Sequence, residues 1–200
     1  MIKKLISFAC CIVCFTTLAQ EKPLRIAVHH PISLSDNVNN IDGIVGANIK
    51  YNIYESPIIT LGASYTIDYF RNAEIRNVFK VKNNAFFNHL DFYSEFKLPG
   101  MLKLHPYVSL GYTLLYDSFE STANDFTYGE NDMPFQSNEK TTDSSHGANL
   151  KLGLSYDITS VIFIQSYYQY LKLFGKEVYY EGIDEDVTYN QLMLGVGFRF

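Results

Sequence analysis

Residues 89–97, HLDFYSEFK, set His89, Asp91, Glu95 and Lys97 at even separations. An imidazole, two carboxylates and an ammonium are the side chains from which acid/base catalysis or a metal site is built. On a strand all four share a face, since residues two apart project to the same side. Unlike charges gathered on one inward face also satisfy one another, and ion pairing accounts for the set without any reaction. His29 and His30 form a second candidate, but adjacent strand residues point to opposite faces and cannot share one metal. No catalytic, cofactor-binding or metal residue is assigned on these grounds, and no cofactor is expected.

The elements that must carry these residues read as strands. Period-two alternation runs almost unbroken after Gln20, with no segment of helical period. Segment 43–54 sets Val45, Ala47, Ile49, Tyr51 and Ile53 against Gly46, Asn48, Lys50 and Asn52. Segment 58–70 opposes Ile59, Leu61, Ala63, Tyr65, Ile67 and Tyr69 to Thr60, Gly62, Ser64, Thr66 and Asp68. In 86–98, Phe86, Leu90, Phe92, Phe96 and Leu98 lie opposite His89, Asp91, Tyr93, Glu95 and Lys97. Segments 107–117, 147–157 and 188–200 continue the pattern, the last with Leu192, Leu194, Val196, Phe198 and Phe200 on one face. Segment 161–173 is apolar on both faces, with Ile162, Ile164, Tyr168 and Tyr170 placed on the apolar side. Segment 24–34 contains Pro31, which cannot donate to a ladder, so a bulge or an early end is expected there. Eight strands result.

Connections alternate between short and long. Residues 55–57, 99–106 and 158–160 carry tight-turn signals, whereas 35–42, 71–85, 118–146 and 174–187 read as longer polar loops. An up-and-down meander with short turns at one end and long loops at the other has the pattern of a transmembrane β-barrel. The polar face supports it: Arg25, Lys50, Lys97, Lys151 and Arg199 balance Asp68, Asp91, Glu95, Asp117 and Asp157, and inside a narrow barrel such groups can cross-link strands. Gly62, Gly111, Gly153, Gly195 and Gly197 on that face leave room for long partners. Aromatics collect at both ends of the apolar face, as interfacial girdles do. A soluble lipocalin-like barrel would call for a Trp, a terminal helix and often a disulfide, and none of these is read here.

Composition and the first residues agree. The opening MIKKLISFACCIVCFTTLAQ has a basic start, a short apolar run and a small-x-small site, which reads as a signal peptide over 1–19, followed by a barrel domain over 20–200. Cys10, Cys11 and Cys14 all fall in that removable stretch. Without Lys3 and Lys4, the 16 basic residues become 14 against 21 acidic, which argues against nucleic acid as a partner.

The phrase Leu152-Gly153-Leu154-Ser155-Tyr156-Asp157, the site Thr17-Leu18-Ala19-Gln20 and the ending Leu194 to Phe200 resemble the small outer-membrane β-barrel family, the OmpA/OmpX-type eight-stranded barrels, in the version common in Bacteroidota-type bacteria. The resemblance implies residence in the outer membrane of a Gram-negative bacterium. It also implies a last strand, ending in Phe200, that the barrel-assembly machinery reads. Expected partners are outer-membrane lipid and lipopolysaccharide, that machinery, and an extracellular partner met by the loops; the barrel is expected to be a monomer. His146-Gly147-Ala148-Asn149 resembles the His-x-Ser-Asn motif of lipid A deacylases, but Ala148 replaces the nucleophile. The expected role is structural or surface-interacting, not enzymatic, with a narrow ion channel and a lipid-modifying enzyme as alternatives. Acidic loops at 118–146 and 174–187 read first as solvated and mutually repelling, with a cap drawn to the basic Arg71, Arg76, Lys80 and Lys82, or divalent cations bridging to lipopolysaccharide, as the alternatives.

Overall fold

The computed structural model describes residues 23–34, 42–76, 79–123, 138–178 and 183–200. The expected signal peptide lies outside the described residues. Eight strands follow one another: β1 (Leu24–Ser33), β2 (Asp42–Glu55), β3 (Ile59–Arg76), β4 (Phe79–Phe96), β5 (Leu104–Ala123), β6 (Asn138–Asp157), β7 (Ile162–Val178) and β8 (Ile183–Arg199). Each pairs antiparallel with its neighbour in sequence, and β8 pairs with β1 to close the ring. Backbone satisfaction explains the closure, since an open edge in hydrocarbon leaves N–H and C=O groups without partners.

Register sets the shape. From Leu24 the pairing passes through Tyr51, Ala63, Phe92, Leu110, Leu150, Tyr170 and Asn190, whose carbonyl accepts the N–H of Leu34 at 2.7 Å. The circuit returns ten residues further along β1, at Leu34 rather than Leu24. Such a stagger tilts the strands by about 35–45° and leaves an interior just wide enough for side chains. The expected faces are realised: Val28, Ile49, Leu90, Phe92, Leu110, Leu152, Leu194 and Phe198 are exposed outward, while Arg25, Lys50, Asp68, Asp91, Glu95 and Lys151 are buried inside.

The expected loops are shorter than the sequence suggests. Segment 71–85 is strand on both sides of residues 77–78, with Arg76 paired to Phe79. Strand also occupies 118–123, 138–146, 174–178 and 183–187, which confines those two connections to 124–137 and 179–182, outside the described residues. Alternation fades there because both faces of a sheet above the membrane meet water, while the backbone ladder continues regardless. A tilted strand crosses hydrocarbon in about 9–11 residues, so β5 and β6, at 20 residues each, project well beyond it.

At Pro31 the strand does not stop. Pairing with β8 runs through to Ser33, while the ladder with β2 ends at His29. Asn52 N–H donates to Pro23 O at 2.8 Å, and two-residue alternation from there brings Pro31 to a hydrogen-bonding position opposite Ile44. Proline has no N–H to offer. Its outward-facing neighbour supplies one instead: His30 Nδ1 lies 3.1 Å from Ile44 O, where β2 is bulged between Gly43 and Val45.

Candidate functional site

The interior is the candidate site, and glycines determine which side chains meet in it. His29, Gly46 and Asp68 lie in one row across β1, β2 and β3. With no side chain on the middle strand, His29 Nε2 reaches Asp68 Oδ1 at 2.5 Å; a Cβ at Gly46 would collide with both atoms. Asn52, Gly62 and Tyr93 repeat the device, and Tyr93 OH donates to Asn52 Oδ1 at 2.6 Å. Tyr107, Gly153 and Tyr167 form a third such row, with ring centroids 5.9 Å apart.

The charges then stack in layers from the short-turn end upward. Arg199 Nη1 forms an ion pair with Asp157 Oδ1 at 2.5 Å, and His105 Nε2 lies 3.0 Å from the other carboxylate oxygen. Above them Arg25 Nη1 contacts both oxygens of Glu95 at 2.8 and 2.7 Å. Lys50 has a different kind of partner: its ammonium sits 4.0 Å from the Tyr107 ring centroid and 3.3 Å from Gln165 Oε1. Lys151 Nζ donates to Asp91 Oδ2 at 2.7 Å and to Thr66 Oγ1 at 3.2 Å. Highest in the polar stack, Asp68 is held between His29 and His89, the latter 3.1 Å from Oδ2, and Thr113 Oγ1 lies 2.7 Å from His89 Nδ1.

Above this layer the lumen turns apolar. Phe70, Ala85, Phe87, Leu115, Leu171, Leu173 and Tyr189 form one buried cluster, with Phe87 packed edge-to-face on Phe70 at 5.2 Å and on Tyr189 at 5.5 Å. These side chains lie at the height of the outward aromatics Tyr69, Phe86, Tyr116 and Tyr170, so the plug closes the loop end of the barrel. Polar alternation alone did not reveal it; the one hint was the doubly apolar segment 161–173.

His89, Asp91, Glu95 and Lys97 do not form a site together. Each pairs with a different strand position: His89 with Asp68, Asp91 with Lys151, Glu95 with Arg25, and Lys97 with Glu55 at the rim at 2.5 Å. Lys97, Asp117 and Asp157 are only half-buried, so the expected five-against-five inner balance leaves four cations and three anions in its core. His29 points inward and His30 outward, as strand geometry requires. His146 and Ala148 face outward while Asn149 is buried, which separates the deacylase-like residues across the wall. Among the described residues, no group of three or more His, Cys, Asp or Glu can hold a metal ion.

The outer wall has polar atoms of its own to satisfy. Tyr65, Tyr69 and Tyr168 face lipid, and each hydroxyl donates to an asparagine on the adjacent strand: Asn88 at 2.9 Å, Asn84 at 3.0 Å and Asn190 at 2.6 Å. The pairing explains three asparagines on a lipid-facing register. Above the belt, Lys172 Nζ donates to Asp186 at 2.8 Å, and that hydrogen bond raises the ammonium's pKa and lowers the carboxyl's. Of the charges expected to form a cap over the mouth, those of residues 124–137 and 179–182, and the side chains of Arg76, Lys80, Glu139, Glu177, Asp184 and Glu185, fall outside what is described.

The family model described as outer membrane protein beta-barrel domain matches residues 8–200. A major outer membrane protein of Thermus thermophilus superimposes with a TM-score of 0.60 at 11% identity, covering 88% of this chain and 99% of that one. The attachment invasion locus protein Ail of Yersinia pestis gives 0.54 at 17%, covering 90% and 97%. Neisserial surface protein A gives 0.51 at 17%, covering 88% and 96%. No curated protein sequence matches.

Proposed function

This chain belongs to the outer membrane protein β-barrel domain family, and from that premise we propose that it is a non-conducting, lipid-embedded platform of the Gram-negative outer membrane. Its work is structural or surface-interacting, carried by the strands and loops that stand beyond the membrane. One observation supports this reading above others: the cross-section is filled, by paired charges below and by the Phe70, Phe87 and Leu115 cluster above. Ions crossing such a lumen would have to break buried pairs and then pass an apolar layer that offers no hydration.

Enzyme chemistry finds no support in the deacylase-like stretch. Ala148 carries no hydroxyl and faces lipid, away from Asn149. The test has three readouts. Protein in outer-membrane fractions should show heat-modifiable gel migration, planar bilayers should show no discrete conductance, and lipid A acyl composition should be unchanged by expression. Unitary current steps would replace this reading with the channel, and altered acylation with the enzyme.

A further inference from the structure

The outward row of β7 reads Ile162, Ile164, Ser166, Tyr168 and Tyr170. Ser166 is its one small side chain, and register sets Leu154 and Leu194 on either side. Serine among leucine, isoleucine and tyrosine leaves a furrow in the lipid-facing wall, a hollow of about 310 Å³ bordered by Leu154, Tyr156, Ile164, Ser166 and Leu194. A second hollow, of about 380 Å³, opens against the β4–β5 turn at Met101, Leu102 and Lys103, and Tyr156 borders both.

That turn is unusual for a connection at a membrane surface. Gly100, with φ at +84°, reverses the chain, and Asp157 N–H donating to Lys103 O at 2.8 Å fixes the turn to β6. Its apolar side chains stand free: Leu102 is 86% and Met101 57% exposed. Lys103 is exposed beside them. Among the described residues, lysine ion pairs engage Lys97, Lys140, Lys151 and Lys172, and not Lys103. Short turns of such barrels face the periplasm, which places Lys103 at the phosphates of the inner leaflet and Met101 and Leu102 at the boundary of its acyl chains.

We propose that furrow and turn together bind one inner-leaflet glycerophospholipid. An acyl chain lies over Ser166, the ester region borders Tyr156, and the phosphate accepts hydrogen bonds from the Lys103 ammonium. Moving an acyl chain from bilayer to protein wall gains nothing from the hydrophobic effect, so retention rests on shape and charge. The furrow's continuity with the lipid-facing belt and the unpaired cation at phosphate height choose this occupant.

The test uses the whole barrel in mild detergent, loaded with dioleoylphosphatidylglycerol and read by native mass spectrometry, with lipopolysaccharide as a parallel arm. One phosphatidylglycerol should stay bound per barrel. Lys103→Gln should weaken retention about fivefold, the effect of removing one lysine near an anionic surface, Lys103→Arg should preserve it, and Ser166→Phe should fill the furrow and abolish it. Heat-modifiable migration of each variant shows separately that the barrel itself is intact. Should Ser166→Phe fail to assemble, the two Lys103 variants decide alone, because the turn lies outside the hydrocarbon. No retained phosphatidylglycerol on the wild type, equal retention by Lys103→Gln, or retention of lipopolysaccharide in its place would overturn the assignment.

Discussion

A methyl group at Gly46 would occupy the space where His29 Nε2 and Asp68 Oδ1 meet. Gly46→Ala is therefore expected to separate that pair and strand a buried carboxylate oxygen, at a cost of about 1–3 kcal/mol. Urea unfolding of the reconstituted barrel measures it; an unchanged midpoint would mean the row relaxes around the methyl. His30 and Pro31 make a sharper case, because one residue repairs what the other removes. His30→Ala should destabilise by about 1–3 kcal/mol by leaving Ile44 O unpaired at a lipid-facing position. In a Pro31→Ala background that cost should shrink, since the ladder N–H is restored. Equal costs in both backgrounds would separate His30 from the proline.

Strands decide the next level. β8 completes the ring through ladder bonds to β1 that reach the last residue: Phe200 N–H donates to Leu24 O at 2.8 Å. Deleting Phe200 removes an outward aromatic and a closing bond together, and is expected to impair assembly more than deletion of any loop. Normal insertion of the truncated chain, followed by gel migration, would show that the terminal aromatic is dispensable. Further up, the paired β3–β4 hairpin should resist protease through 71–76 and 79–85, whereas a loop there would be cut. Mass spectrometry of the fragments locates the cuts, and cleavage within those two stretches would contradict the extended ladder.

For the molecule as a whole, two kinds of packing close one tube. The lower kind is electrostatic: a buried ion of a pair keeps its place because removing its countercharge would leave it unpaired in a water-poor interior, as Arg25 would be without Glu95. The upper kind is apolar and meets those pairs where Phe87 stacks on His89, ring centroids 6.2 Å apart. Truncating the plug by Phe70→Ala together with Phe87→Ala should leave the paired charges in place yet weaken the seal, raising bilayer conductance above a silent wild type. A silent double variant would assign closure to the charge layers alone.

The eight strands, their inward and outward faces, and the closure of the last strand on the first were all legible in the chain, because lipid on one side and a narrow polar lumen on the other force a period of two. Pairing inside the lumen was not legible. His89 meets Asp68 and Glu95 meets Arg25 only because a stagger of ten residues brings distant strand positions to one height, and no local spacing encodes that offset. The plug was hidden for a related reason: Phe70, Phe87 and Leu171 lie on three strands, and each alone reads as an exception to a polar face. The reach of the strands beyond the membrane was hidden too, since a backbone ladder persists in water after the side-chain signal has ended. Sequence alone determined which face of each strand meets lipid; tertiary structure decided which inward side chains meet one another, because the tilt of a closed sheet sets their common height.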